Sequence, residues 1–176
     1  MVITLIGYRG SGKTTVARAL AERLAWDWID ADAVIEGTAG QTIREIFAAE
    51  GEPGFRRRER SALVELLTRD RLVLAAGGGA VLNPETRRDM QAAGPVVWLQ
   101  ASVPVLAARI AADPTTTRRR PNLAGGGTDE IAKLLGEREP LYRESAAHTI
   151  CTDGLSVADI VDRIAASALL PTRGPG

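Results

Sequence analysis

Cysteine, histidine, lysine and aromatic residues are all scarce in this 176-residue chain, and each scarcity removes a class of function. The single cysteine, Cys151, excludes an intramolecular disulfide and argues against a multi-cysteine metal site; it reads as a small buried hydrophobe in a reducing compartment. The single histidine, His148, opens an apolar run with no serine or cysteine companion and reads as structural. Aromatic residues make up 4% of the chain, so Trp26, Trp28 and Trp98 read as packing residues rather than a ring-stacking platform. Net charge is absent too. The 22 basic residues balance 22 acidic ones, so nothing draws the protein as a whole toward nucleic acid or an anionic membrane, and any anion site must be local. No apolar run approaches the roughly 20 residues that span a bilayer, and no basic stretch leads into a signal-type segment, which predicts a soluble, cytoplasmic protein.

Two nucleotide-binding classes also lack their markers. The only asparagines, Asn83 and Asn122, precede Pro and Leu, leaving no N-K-x-D guanine reader. The apolar run "LVLAAGGG" (Leu72 to Gly79) ends in glycines where a motor or transport ATPase carries a Walker-B acid.

What is present is a regular alternation. "VITLIG" (Val2 to Gly7) is β-branched and almost wholly apolar, as expected of a strand covered on both faces, and Val16, Leu20 and Leu24 then recur at helical spacing. Further strands are expected at Trp26–Asp30, Leu72–Ala76, Val96–Leu99 and His148–Thr152. Helices are expected over Gln41–Ala49 and Phe55–Thr68, parted by the breaker "GEPG", and after Pro84, over Ser102–Ile110, from Thr128 to about Ser145, and from Val157. Strands separated by helices predict a single α/β domain of about residues 1–170, with a parallel sheet under a two-sided helix cover. Residues 112–127, "ADPTTTRRRPNLAGGG", form a loop long enough to predict a mobile lid, and the tail 171–176 is expected to be disordered.

Gly7, Gly12, Lys13 and Thr14 satisfy G-x-x-x-x-G-K-[ST], between an apolar strand and a helical pattern, which is the context a P-loop requires. The chemistry needs glycine where backbone N–H groups curl around phosphate, a helix N-terminus aimed at the anion, a lysine for the terminal phosphates and a hydroxyl for Mg²⁺. Composition weighs against chance, because only Lys13 and Lys133 among the basic residues are lysine.

The acids of "WIDAD", Asp30 and Asp32, close the second strand, where ligands bind in open parallel sheets. One can hold Mg²⁺ through water while the other accepts a hydrogen bond or proton from an alcohol; the plainer alternative makes Asp32 the N-cap of a helix starting near Ala33. The stripe Phe55, Glu59, Leu63, Leu66 places Glu59 inward and Arg56 at its edge. The stripe Ile131, Leu134, Arg138, Tyr142 places Arg138 inward. Inward arginines need anions. Glu59 can serve Arg56, and Glu137 or Glu139 can serve Arg138; two arginines converging beside a phosphate site instead suggest bidentate capture of a carboxylate. Among Arg118, Arg119 and Arg120, at least one is placed by the lid to stabilise charge on a transferring phosphoryl group. Gly77, Gly78 and Gly79 either let substrate approach the backbone or make a tight turn.

The ordered set "GYRGSGKTT", "DAD", "GEPGFRRRE", "LAAGGGAV", "RRRP" and "REPLY", spread from Val2 to about Ile164, resembles the shikimate kinase family. The resemblance implies a P-loop, nucleoside-monophosphate-kinase-like, three-layer α/β/α fold with five parallel strands and a lid. It also implies ATP-dependent phosphorylation of the 3-hydroxyl of shikimate, with Mg²⁺, by a monomer whose shikimate-binding region covers about residues 31–60. Gly10, Ser11, Gly12, Lys13, Thr14 and Thr15 would bind the nucleotide, with Arg109 near the adenine and Arg120 near the transferring phosphate. Thr14 would ligate Mg²⁺ directly and Asp30 through water; Asp32 would hold the reacting hydroxyl. Arg56 and Arg138 would grip the carboxylate beside Gly77, Gly78 and Gly79. "RPNL" and Val157 depart from the family's usual lid and adenine-side residues. A gluconate-type kinase and a nucleotide-binding module without phosphoryl transfer are the alternatives.

Overall fold

The computed structural model of the chain describes residues 1–113 and 127–168. Most of the expected lid, including Arg118, Arg119, Arg120 and Asn122, lies outside the described residues, as does the tail 171–176.

The elements follow the predicted alternation. They are β1 (Val2–Ile6), α1 (Lys13–Leu24), β2 (Asp27–Asp30), α2 (Ala31–Ala39), α3 (Ile43–Leu66), β3 (Leu72–Ala75), α4 (Pro84–Ala93), β4 (Val96–Gln100), α5 (Val103–Ala112), α6 (Thr128–Ser145), β5 (His148–Cys151) and α7 (Val157–Ala168). The five strands form one parallel sheet in the order β2-β3-β1-β4-β5.

The two-residue period of the strands divides the apolar side chains between two cores. Val2, Ile6, Leu72, Leu74, Val96 and Trp98 face one side, under Leu63 of α3, Met90 of α4 and Tyr142 of α6. Ile3, Leu5, Val73, Ala75, Val97 and Leu99 face the other, under Val16 and Leu20 of α1 and Ile160 and Ile164 of α7. Each fully buried aliphatic side chain contributes about 1.5–3 kcal/mol of transfer free energy, which is why β1, buried at all five positions, sits at the centre. A satellite core of Ile35, Ile43, Ile46 and Phe55 joins α2 to α3.

Three local expectations are corrected. The two helices expected around "GEPG" are one segment broken only at Gly51 (φ 67°, ψ −175°); Pro53 falls in the first turn after the break, where a missing N–H is tolerated. The N-cap of α2 is Asp30, not Asp32, and Asp32 lies in the first turn of that helix rather than at the strand end. Cys151 and Trp28 are exposed, because β5 and β2 are the two edges of the sheet.

Candidate active site

β1 delivers the chain into the glycine loop. Gly7 (φ 143°) cannot carry a Cβ, which would run into the Leu99 carbonyl oxygen of neighbouring β4. Gly10 (φ 83°) and Gly12 (φ 93°) adopt backbone conformations that favour glycine. Gly12 caps α1 with no side-chain hydrogen bond, and the first turn of α1 holds no acid, so its N–H groups and the positive end of its dipole face the loop's concave side. The Lys13 ammonium donates to the carbonyl oxygens of Gly7 (2.8 Å) and Tyr8 (2.9 Å), folding back over the loop.

The acids of the second strand meet this loop from the side. Thr14 Oγ1 donates to Asp30 Oδ2 at 2.6 Å, while Asp30 Oδ1 accepts the Asp32 N–H at 3.0 Å. Asp30 is thus both helix cap and partner of the P-loop hydroxyl, and capping α2 turns Asp32 into the same cleft. That cleft, about 440 Å³, gathers Gly10, Ser11, Gly12, Lys13, Thr14 and Thr15. Asp30, Asp32, Gly77, Gly78 and Arg109 complete it, with Leu155 and Val157 on the side of Arg109. Arg109 is held there by Thr152, whose hydroxyl and carbonyl oxygens accept at 3.1 and 3.3 Å.

The two inward arginines differ. Arg56 is saturated by its own helix: Nη1 donates to Glu59 at 2.6 Å, and Nε and Nη2 donate to Glu52 at 3.2 and 3.0 Å. It opens, with Gly79, on a neighbouring groove of about 680 Å³ rather than on the P-loop cleft. A Cβ at Gly79 would meet the Arg56 guanidinium and displace it from its present position. Arg138 is only 7% exposed and makes no ion pair with any described residue; neither Glu137 nor Glu139 serves it, Glu139 being paired with Arg143 instead. Its Nη1 lies 3.5 Å from the Gly78 carbonyl, to which Tyr142, one turn further along α6, donates its hydroxyl. The glycine triplet therefore lies between the two arginines, touching Arg56 at Gly79 and Arg138 at Gly78. Arg120 lies outside the described residues.

The sequence reading passed over Arg9, which lines the cleft, and Thr152 and Tyr142, which hold site groups from behind. An arginine inside the glycine loop was a visible signal; the other two act through contacts that no local spacing reveals.

Comparison with known proteins follows this geometry. The shikimate kinase family model matches residues 9–168. A shikimate kinase of Rhodopirellula baltica is 45% identical over 165 residues, covering 93% of this chain and 88% of its own. The solved shikimate kinase of Acinetobacter baumannii, in complex with shikimate, superposes with a TM-score of 0.87 at 41% identity over 93% of this chain and 90% of its own. A gluconokinase of Sinorhizobium meliloti shares the fold alone, with a TM-score of 0.57 at 18% identity over 95% of this chain and 90% of its own.

Proposed function

The chain belongs to the shikimate kinase family, and we propose that its cleft divides phosphoryl transfer among the residues assembled above. The protein is an ATP-dependent kinase that converts shikimate to shikimate 3-phosphate. ATP lays its phosphates on the N–H groups of Gly10 to Thr15, and Lys13 leaves the Gly7 and Tyr8 carbonyls for the terminal phosphates. Shikimate lies against Asp32, Gly77–Gly79 and Arg138, with Arg56 completing the grip on its carboxylate. The 3-hydroxyl oxygen attacks the γ-phosphorus, the bond to the bridging oxygen of ADP breaks, and the hydroxyl proton passes to the Asp32 carboxylate. Arg120 stabilises the transferring group, and Arg109 packs beside the adenine.

Mg²⁺ fits the Thr14–Asp30 pair, where a hydroxyl and a carboxylate oxygen already meet at 2.6 Å. When bound there, it would neutralise charge on the triphosphate. The same reading takes residues 1–170 as one domain acting as a monomer in the cytoplasm; among the described residues no helix is long and apolar enough to cross a membrane.

The observation that carries this assignment of roles is Arg138, a buried guanidinium with no carboxylate partner among the described residues, facing a glycine triplet at the mouth of a P-loop cleft. Turnover of ATP with shikimate and with gluconate tests it. Shikimate-dependent ADP release should exceed gluconate-dependent release by orders of magnitude; the reverse order would reassign the acceptor. Calorimetric ATP binding without shikimate binding or transfer would favour a non-catalytic module.

A further inference from the structure

Arg9 is the one arginine of the glycine loop, set between Gly7 and Gly10. Its half-buried side chain lines the cleft with Lys13, Asp32, Gly77 and Gly78, and it makes no hydrogen bond or ion pair with any described residue. A guanidinium without an anion in a walled cleft is an anion site in waiting.

Its backbone shows which half of the site it serves. The Arg9 N–H nitrogen lies 3.4 Å from where a Gly78 Cβ would stand, so the loop at this point rests on the glycine that Arg138 and Tyr142 hold from the other side. Arg138 also lies over the Tyr8 ring, 5.8 Å from its centroid. Burial pushes the Tyr8 phenol up, and the charges of Arg138 and Arg9 both act against that rise. The acid acting on Tyr8 is Glu130, two turns before Arg138 on α6, and it works in the direction opposite to the two arginines. Arg138 and Arg9 thus both lie close enough to act on one buried phenol, while Arg56 is already occupied by Glu52 and Glu59.

We propose that Arg9 is a specificity-determining residue of the acceptor site, donating with Arg138 to the carboxylate of the hydroxy-acid substrate. This rests on the shikimate kinase reading above. The loop then has two jobs divided by position: Gly10 to Thr15 hold the donor phosphates, and Arg9, one residue earlier, reaches the acceptor. A substrate carboxylate would neutralise both Arg9 and Arg138, whereas the donor phosphates are already provided with N–H groups and Lys13.

The test is steady-state kinetics of wild type, Arg9→Met and Arg9→Lys with shikimate and with its neutral carboxamide. If wild type does not turn over shikimate, the family reading of the acceptor fails before any variant is measured. Given that turnover, Arg9→Met should raise the shikimate KM about tenfold, the loss expected for one charge-assisted hydrogen bond, while the ATP KM and melting temperature stay level. Arg9→Lys should recover part of the loss. Wild type should prefer shikimate over the carboxamide, and Arg9→Met should shrink that preference. An unchanged shikimate KM would make Arg9 a solvated surface cation; a raised ATP KM would move it to the donor phosphates. An equal penalty on acid and amide would overturn the carboxylate contact.

Discussion

In the proposed site the donor side is one unbroken run, Gly10 to Thr15, whereas the acceptor side draws Asp32, Arg56, Gly77–Gly79 and Arg138 from separate segments of the chain. The two halves also differ in what their charged groups do before substrate arrives. On the donor side Lys13 sits on the carbonyls of its own loop and Thr14 sits on Asp30. On the acceptor side Arg56 is likewise satisfied, but Arg138 is buried without an ion-pair partner among the described residues. A cradle built from backbone donors tolerates being empty because its lysine can fold back. A buried guanidinium that lacks a carboxylate carries a standing desolvation cost that an incoming anion would relieve.

The largest expected effect falls on the donor side. Lys13→Met removes the ammonium that follows the terminal phosphates, and kcat should fall at least about a hundredfold. Stopped-flow ADP release would measure it. Because Lys13 bonds to the loop carbonyls of Gly7 and Tyr8 and lies near Ser11, on the donor side, the shikimate dissociation constant should change little. A parallel loss of shikimate binding would break the division between the halves.

Next come the two acceptor arginines, which should separate function from stability. Arg138→Leu removes a buried cation with no ion-pair partner among the described residues, so the shikimate KM should rise about ten- to a hundredfold while the melting temperature holds or rises. Arg56→Leu removes the cation facing the Glu59 carboxylate, whose side chain is only 4% exposed. It should lower stability by about 2–3 kcal/mol, or roughly 5–10 °C in melting temperature, in addition to weakening shikimate binding. Thermal melts and kinetics on both variants check this. Equal destabilisation by the two would show that Arg138 has a structural partner after all.

The same contrast explains what could be read in advance. The P-loop was legible because its chemistry is local: spacing, an apolar strand before and a helix after define it completely. Arg138 was legible because helical period alone puts it on the stripe of Ile131 and Tyr142. The saturation of Arg56 was only half legible; Glu59 lies three residues on, but Glu52 reaches Arg56 only because the chain restarts its helix after Gly51. Strand order was not legible, and with it went the exposure of Cys151 and Trp28, which depends on β5 and β2 being edges. The cap of α2 fell to Asp30 instead of Asp32 because a cap is decided by one residue's backbone, here φ −96°, ψ 118°, a detail finer than any hydrophobic pattern.

The smallest effect sharpens the comparison from a distance. α3, which carries Arg56, begins at a reciprocal cap: the Thr42 hydroxyl accepts from the Glu45 N–H at 3.2 Å, and Glu45 accepts from the Thr42 N–H at 2.7 Å. Thr42→Ala should lower the melting temperature by about 2–4 °C and raise the shikimate KM slightly, leaving the ATP KM unmoved, because the cap supports only the acceptor side. The effect should depend on pH. The Thr42 N–H, and after it the Thr42 hydroxyl, hold the Glu45 carboxyl below its ordinary range. A depressed folded pKa gives stability that is present above the unfolded value and is lost as pH falls through the folded one. The difference between wild type and Thr42→Ala should therefore be widest near neutrality and narrow below about pH 4. It should not vanish there, since the hydroxyl of Thr42 still caps the Glu45 N–H when the carboxyl is protonated. A gap that stays constant from neutral to acid would mean that the bond from the Thr42 hydroxyl to the Glu45 carboxylate adds nothing and that its bond from the Glu45 N–H carries the whole difference.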